Sequence, residues 1–213
     1  MEEHVKIKIC GVTREEEIRM LNEAGVDYAG FVFYEKSKRN ITAGKALKLK
    51  EGLAPSIKSV AVTVDPDGRT AEMIASLGFD VMQVHGDPDT EVIGRSKIPV
   101  WYAVNASCTD EAEEKIRRIL SLPDGAADKI EAFVFDAPAF GSGKTSDWEG
   151  GRRPDTDRMF VLAGGLDSSN VNEGIRVFRP DVVDVSSSVE GSSGKDPDKV
   201  FRFVNTVRKG DGQ

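Results

Sequence analysis

Short runs of mostly apolar residues recur eight times along this chain, and most neighbouring runs are separated by an amphipathic helical pattern. Several runs are continuously apolar, for example Phe133-Val134-Phe135, which is typical of strands buried on both faces. Because strand–helix alternation leads to right-handed crossovers between parallel strands, the pattern predicts a parallel sheet. The predicted strands are Val5–Cys10, Asp27–Phe33, Lys58–Val64, Val81–His85, Val100–Val104, Ala132–Asp136, Met159–Ala163 and Val182–Ser186.

Helices are predicted where apolar residues recur at three- and four-residue spacing between these strands. Thr13 and Glu16 have the spacing of a capping box at the start of the first helix. Two connections are poor helices: Thr90–Arg95 is barely helical, and Trp148–Arg158 is predicted as a loop or a single turn. The predicted helices are Arg14–Ala24, Ala43–Lys50, Thr70–Leu77, Asp110–Leu120, Ser169–Phe178 and Pro197–Val207.

The number of strand–helix units predicts the architecture. Eight units average about 27 residues each, near the compact end for a (β/α)₈ TIM barrel. No linker rich in Pro, Gly or Ser divides the chain, so residues 1–213 are predicted to form one α/β barrel domain with a degenerate helix after strand six. A doubly wound open sheet is the rival architecture.

Charge and composition limit the partners. The formal net charge is -7, which argues against a broad basic face for nucleic acid. No apolar stretch has the length of a membrane span, and the N-terminal residues lack the basic start and apolar run of a signal peptide. The two cysteines could pair, so their number alone does not fix the compartment, but nothing else suggests a secreted disulfide framework. We therefore expect a cytoplasmic protein. The negative net charge does not exclude an anionic small substrate, because a few backbone N–H groups can hold a phosphate locally.

Two residues at predicted strand ends could carry acid–base chemistry, since parallel α/β proteins place their sites there. Cys10 ends strand one and precedes Gly11; it is either a small buried hydrophobe or, as a thiolate, a base or nucleophile. Asp136 closes the apolar run of strand six, where it either caps a loop or acts as an acid with a raised pKa. The residue types leave both alternatives open.

Loops after strands six, seven and eight could bind a phosphate. They contain Gly141–Lys144, Gly164-Gly165 and Ser186–Ser188, whose backbone N–H groups and hydroxyls are suitable donors. Each glycine pair could equally form only a tight turn. Gly143-Lys144-Thr145 is not a P-loop, because Pro138 stands where that motif needs glycine.

Arg39 and His85 are two further candidates near strand ends. Arg39 follows strand two and is either a solvated loop charge or a bidentate clamp for a carboxylate. His85 ends strand four and either titrates near neutral pH or is a hydrogen-bonded structural residue.

Eight motifs in order, from Lys6 to about Phe203, resemble the phosphoribosylanthranilate isomerase family. They are Lys8-Ile9-Cys10-Gly11, Gly30-Phe31-Val32-Phe33, Ser37-Lys38-Arg39, Gln83-Val84-His85-Gly86, Phe135-Asp136, Gly141-Ser142-Gly143-Lys144, Leu162-Ala163-Gly164-Gly165-Leu166 and Asp184-Val185-Ser186-Ser187.

This resemblance implies an isomerase of tryptophan biosynthesis that catalyses the Amadori rearrangement of N-(5-phosphoribosyl)anthranilate. It implies that Asp136 is the general acid, that Cys10 is the general base and that Arg39 holds the anthranilate carboxylate. It also implies no metal or organic cofactor, and the sequence offers no ligand cluster for one. Further substrate contacts are expected from the same motifs, at Gln83, His85, Gly143, Gly164, Gly165, Asp184, Ser186 and Ser187.

The chain departs from the family pattern at Lys38, Phe140, Ser142 and Ser188, mostly in the phosphate loops. Ser188 replaces a usual glycine and would be strained if the backbone there had positive φ. Two rival functions remain: another sugar-phosphate isomerase or aldolase on the same fold, or a non-catalytic phosphometabolite-binding protein. The chain is expected to be a monomer or a homodimer.

Overall fold

The computed structural model describes residues 4–123, 125–136 and 151–210. Within them, eight parallel strands close into a barrel in sequence order, with β8 paired to β1. The strands are β1 Lys6–Cys10, β2 Tyr28–Phe33, β3 Lys58–Val64, β4 Val81–His85, β5 Val100–Val104, β6 Ile130–Asp136, β7 Met159–Ala163 and β8 Val182–Val185. The prediction of a (β/α)₈ barrel is confirmed, and the open sheet is excluded.

Helices cover the outside of the barrel, as strand–helix alternation requires. They are α1 Glu15–Ala24, α2 Ala43–Glu51, α3 Gly68–Ser76, α4 Thr90–Gly94, α5 Thr109–Leu120, α6 Ala126–Lys129, α7 Val171–Phe178 and α8 Pro197–Gly210. Of the predicted loop Trp148–Arg158, the described residues 151–158 contain no helix, and the part before residue 151 lies outside the described residues. Among the described residues, no helix has the length and apolar character needed to cross a membrane.

Side-chain alternation along the strands separates two apolar cores. Phe133 and Phe135 belong to the larger cluster, which also contains the buried residues of the helices. Val134, between them, belongs to a second cluster in the barrel interior together with Trp101 and Tyr28, whose rings meet edge to face with centroids 4.8 Å apart. The continuously apolar runs in the sequence therefore reflect strands that are buried on both faces.

The structure corrects the predicted start of α1. The carboxylate that reaches back to the helix start is that of Glu17, not Glu16: it accepts hydrogen bonds from the backbone N–H groups of Thr13 and Arg14. Glu17 is also buried and accepts from the backbone N–H of Lys195. Glu16 is 66% exposed, so the predicted Thr13–Glu16 capping box was wrong. The buried carboxylate, that of Glu17, is the one that caps the start of α1.

Other differences concern element bounds. Helix α3 begins two residues earlier than predicted, because the Asp67 side chain accepts a hydrogen bond from Thr70 N and caps it. Helix α7 begins two residues later, at Val171. Four short elements of the described residues escaped prediction, because each is too short to show a periodicity. They are α6, the 3₁₀ turn Ser187–Val189, and the strands β9 Glu190–Gly191 and β10 Gly194–Lys195, which pair as a hairpin.

Candidate active site

A cavity of about 210 Å³ opens at the carboxyl ends of the barrel strands. It brings together eight predicted site residues that are far apart in the sequence. These are Cys10, Gln83, His85, Gly164, Gly165, Asp184, Ser186 and Ser187, and the cavity wall is completed by Val134, Ala163 and Leu166.

Cys10 is the last residue of β1 and is partly exposed at this cavity. The Ser186 hydroxyl donates a 3.0 Å hydrogen bond to the Cys10 carbonyl, which joins the ends of β1 and β8. Burial raises the pKa of the Cys10 thiol; the positive charges of Lys8 and Lys195 act to lower it, and the negative charge of Asp184 acts to raise it. Cys10 therefore lines the cavity, and the ionisation of its thiol depends on burial and on its charged neighbours.

An ion pair lies in the barrel interior next to Cys10. Lys8 Nζ donates a 2.7 Å hydrogen bond to Asp184 Oδ2, and the two side chains are 0% and 8% exposed. Sequence reasoning singled out Asp184 but gave Lys8 no role of its own. The signal was present, since Lys8 interrupts the apolar run of β1 between Ile7 and Ile9, and a buried ammonium needs a partner.

Gln83 and His85 stand on β4 across the cavity. Their Nε2 atoms are 2.9 Å apart. Burial and, to a smaller extent, the charge of Lys8 lower the pKa of His85 to about 4, although the charge of Asp184 acts to raise it. His85 is therefore neutral at pH 7 and serves as a hydrogen-bonding group. Gln83 is 2% exposed, and its Oε1 has no hydrogen-bond partner among the described residues.

Arg39 does not line this cavity but lies against the end of β1. A Cβ on Gly11 would stand 2.3 Å from Arg39 Cδ, so Gly11 permits this close approach. Arg39 Nε and Nη2 both donate to the carboxylate of Glu190, the latter at 3.1 Å. The predicted clamp thus already holds one carboxylate, and Arg39 is not a freely solvated loop charge.

Glu190 is the centre of a charged network that sequence reasoning missed. Lys195 Nζ lies 3.2 Å from Glu190 Oε1 and donates a 3.0 Å hydrogen bond to the Ser186 carbonyl. Burial raises the pKa of Glu190, but hydrogen bonds from Arg39 and Lys195 and their charges outweigh burial and hold it at about 2. Both residues lie in the short β9–β10 hairpin, which only the fold brings to the barrel mouth.

The loops after β7 and β8 meet at the cavity. Gly164 and Gly165 have φ of 87° and 64°, a conformation that favours glycine. The hydroxyl of Ser188 donates to the Leu166 carbonyl and joins the two loops. Ser188 lies in a single 3₁₀ turn and is not among the described non-glycine residues with positive φ, so this departure from the family pattern introduces no such strain.

Asp136 is the last residue of β6, paired with Ala163 of β7. Its backbone is thus at the carboxyl end of the barrel, with β7 and β8 between it and β1. Its side chain lies outside what the structure describes. The third predicted phosphate loop, including Phe140, Ser142, Gly143 and Lys144, also lies outside the described residues.

Barrel enzymes carry their chemistry at the carboxyl ends of the strands, and the cavity and its ionisable groups lie at that end. The chain is a (β/α)₈-barrel enzyme. The family model described as N-(5'phosphoribosyl)anthranilate (PRA) isomerase matches residues 7–206. This chain belongs to that family, as the resemblance predicted.

Individual relatives agree with this assignment. The chain is 40% identical over 210 residues to N-(5'-phosphoribosyl)anthranilate isomerase of Thermoanaerobacter sp., with 96% of this chain and 98% of the relative covered. It is 36% identical over 205 residues to the enzyme of Streptococcus mutans, covering 96% and 99%.

Solved structures agree as well. Phosphoribosyl anthranilate isomerase from Thermotoga maritima matches with a TM-score of 0.80 and 31% identity over 96% of this chain and 99% of that chain. Another matching structure is phosphoribosyl anthranilate isomerase in complex with reduced 1-(o-carboxyphenylamino)-1-deoxyribulose 5-phosphate. It has a TM-score of 0.78 and 29% identity, and covers 96% and 99% of the two chains.

Proposed function

We propose that this chain converts N-(5-phosphoribosyl)anthranilate to 1-(2-carboxyphenylamino)-1-deoxyribulose 5-phosphate in tryptophan biosynthesis, with residues 1–213 acting as one barrel domain. The observation that carries the proposal is the cavity that joins Cys10 to the glycine and serine loops after β7 and β8. The family assignment favours this reaction over another sugar-phosphate isomerase or aldolase and over a non-catalytic binding protein.

The reaction needs one acid and one base. In the proposed mechanism Asp136 protonates the furanose ring oxygen, the C1′–O bond breaks, and the nitrogen lone pair forms the Schiff base. The thiolate of Cys10 then takes the C2′ proton, and the C2′–H electrons form the enolamine. Tautomerisation of the enolamine gives the ketone product.

The anthranilate carboxylate is assigned to Arg39. Its Nε and Nη2 atoms donate to Glu190. The other edge of the guanidinium, formed by Nη1 and the second N–H of Nη2, remains available as a donor. That edge can bind a second carboxylate in bidentate fashion. Glu190 then keeps the guanidinium plane fixed, and we assign it a positioning role for Arg39.

The substrate phosphate is assigned to the loops at Gly164-Gly165 and Ser186-Ser187, together with Gly143. The first two loops line the same cavity as Cys10, and β7 and β8, from which they leave, are neighbours in the barrel. Gln83, whose Oε1 lacks a partner among the described residues, is assigned to a substrate hydroxyl. His85 and Asp184, which also line this cavity, complete the assigned set.

The experiment that tests the proposal follows the loss of phosphoribosylanthranilate fluorescence after addition of purified protein. Turnover by the wild type is expected.

Cys10→Ala and Asp136→Ala should each lower kcat by at least about 100-fold, the usual contribution of a positioned acid or base, whereas Arg39→Ala should mainly raise KM. Cys108→Ala is the matched control, since Cys108 is the exposed second cysteine. No turnover by the wild type would refute the function, and near-normal kcat in either variant would remove that residue from the mechanism.

The cellular setting and assembly form part of the same proposal. We assign the enzyme to the cytoplasm, where we expect its small-molecule substrate, and we expect a monomer or a homodimer. One matching structure is of mutually generated monomers of the dimeric phosphoribosylanthranilate isomerase from Thermotoga maritima, so both states occur for a related barrel. Sedimentation of the purified protein distinguishes them.

A further inference from the structure

The buried ion pair of Lys8 and Asp184 lies where a barrel of this kind has apolar filling. TIM-barrel interiors are mostly filled by apolar side chains, and Val60, Val62 and Val182 belong to such an interior cluster here. Exchange of a buried ion pair for apolar residues of similar volume is often neutral or stabilising. Stability alone therefore gives no reason for a fully buried lysine at position 8.

The position of Lys8 on β1 supplies a reason. Lys8 and Cys10 are two residues apart on the same strand, so their side chains share its inner face. Cys10 packs against the interior cluster, and the charge of Lys8 acts directly on its thiol. Lys8 is thus the cation that β1 itself places beside the proposed base.

A base at this position needs such a cation, because the thiolate and not the thiol accepts a proton. Burial disfavours the thiolate. The described charged or titratable groups that act on or lie near Cys10 come from several elements: Lys8 on β1, Arg39 after β2, His85 on β4, Asp184 on β8 and Lys195 on β10. Arg39 and Lys195 are already shared with Glu190, and His85 is neutral at pH 7.

We propose that Lys8, held in place by Asp184, is a positioning residue that stabilises the thiolate of Cys10 and so makes it a proton acceptor. The role of that thiolate as the base rests on the proposed function. Asp184 has two opposite effects: its hydrogen bond fixes the ammonium, and its negative charge opposes the thiolate. Removal of the Lys8 charge should therefore raise the pKa of the Cys10 thiol, whereas removal of the Asp184 charge should lower it.

The test measures the rate of alkylation of Cys10 by iodoacetamide against pH in a Cys108→Ser background, where Cys10 is the one remaining cysteine. Lys8→Met should raise the midpoint of this profile by about 1–3 pH units, the usual effect of a lost opposite charge within a few ångströms. Asp184→Asn should lower the midpoint. Lys6→Met is the matched control: Lys6 is exposed at the far end of the same strand, and the midpoint should not move.

The acid limb of the kcat/KM profile should move in the same directions as these midpoints. A purely structural role predicts lower stability in both variants without opposite midpoint shifts. Unchanged midpoints, or midpoint shifts of the same sign in both variants, would overturn the proposal. If Lys8→Met does not fold, the Asp184→Asn variant alone decides: an unchanged or raised midpoint would overturn the proposal. Alkylation requires no turnover, so an active Cys10→Ala variant would refute the base assignment without deciding whether Lys8 stabilises the thiolate.

Discussion

At the scale of single residues, the site depends on groups whose neighbours change their chemistry. Cys10, His85 and Glu190 have side chains of ordinary types, yet their surroundings shift each pKa: burial raises that of Cys10, burial lowers that of His85, and hydrogen bonds from Arg39 and Lys195 lower that of Glu190. Gly165 contributes in a different way, since its φ of 64° shapes the backbone at the cavity. Its effect on anion binding can be separated from the strain of a side chain at positive φ, because Gly25 at the end of α1 has nearly the same φ, 65°.

We predict that Gly165→Ala weakens competition by inorganic phosphate at least about tenfold, equivalent to about 1.4 kcal/mol of binding free energy. A Cβ at this cavity wall displaces the anion from the loop. Gly25→Ala is the control, because it places the same side chain at nearly the same φ, and, beyond its chain neighbours, its Cβ would have no heavy atom of the described residues within 4 Å. The measurement compares the inhibition constants of inorganic phosphate for Gly165→Ala and Gly25→Ala. Equal inhibition constants would mean that Gly165 only shapes a turn.

At the scale of elements, one buried carboxylate ties the first helix to the last hairpin. Glu17 on α1 accepts from the backbone N–H groups of Thr13, Arg14 and Lys195. Lys195 on β10 in turn contacts Ser186 and Glu190. The start of α1 thereby helps to fix the charged network at the barrel mouth.

We predict that Glu17→Ala lowers the free energy of unfolding by about 2–3 kcal/mol, because it removes charge-assisted hydrogen bonds and leaves buried donors unpaired. Glu16→Ala, one position away on the exposed face of α1, should change it by less than about 0.5 kcal/mol. Urea denaturation of both variants measures the difference. Equal destabilisation would show that the hydrogen bonds of Glu17 add nothing beyond ordinary helix-start electrostatics.

At the scale of the whole molecule, the polar interior links folding stability to pH. His85 is held neutral inside the barrel, with a pKa of about 4 instead of 6.5. The unfolded chain takes up this proton near pH 6.5 and the folded chain only near pH 4. Between these values the unfolded state binds more protons, so acidification favours unfolding.

We predict that the free energy of unfolding of the wild type falls by up to about 3 kcal/mol as pH decreases from 6.5 to about 4. His85→Gln should flatten this part of the stability profile. His4→Gln is the control, since His4 is the only other histidine and is exposed, and it should retain the slope. Denaturation midpoints across this pH range test the prediction, and an unchanged slope in His85→Gln would contradict it.

The sequence by itself determined the barrel and the family. Strand–helix alternation is a local property, because each apolar run and each helical periodicity is readable without its partners. The motifs at strand ends were predictable for the same reason, since parallel strands place their carboxyl ends at one mouth. Cys10, Gly164 and Ser186 are therefore predictable as site residues from their positions at strand ends, whereas Gln83 was predicted from the family resemblance.

Tertiary structure alone decided what depends on contacts between distant segments. The choice of Glu17 over Glu16 as the capping carboxylate follows from burial against β10, and the partner of Arg39 follows from the short β9–β10 hairpin. The pairing of Lys8 with Asp184 joins residues 176 positions apart. No local pattern encodes such contacts, because closure of the barrel is what brings β8 and its following hairpin beside β1.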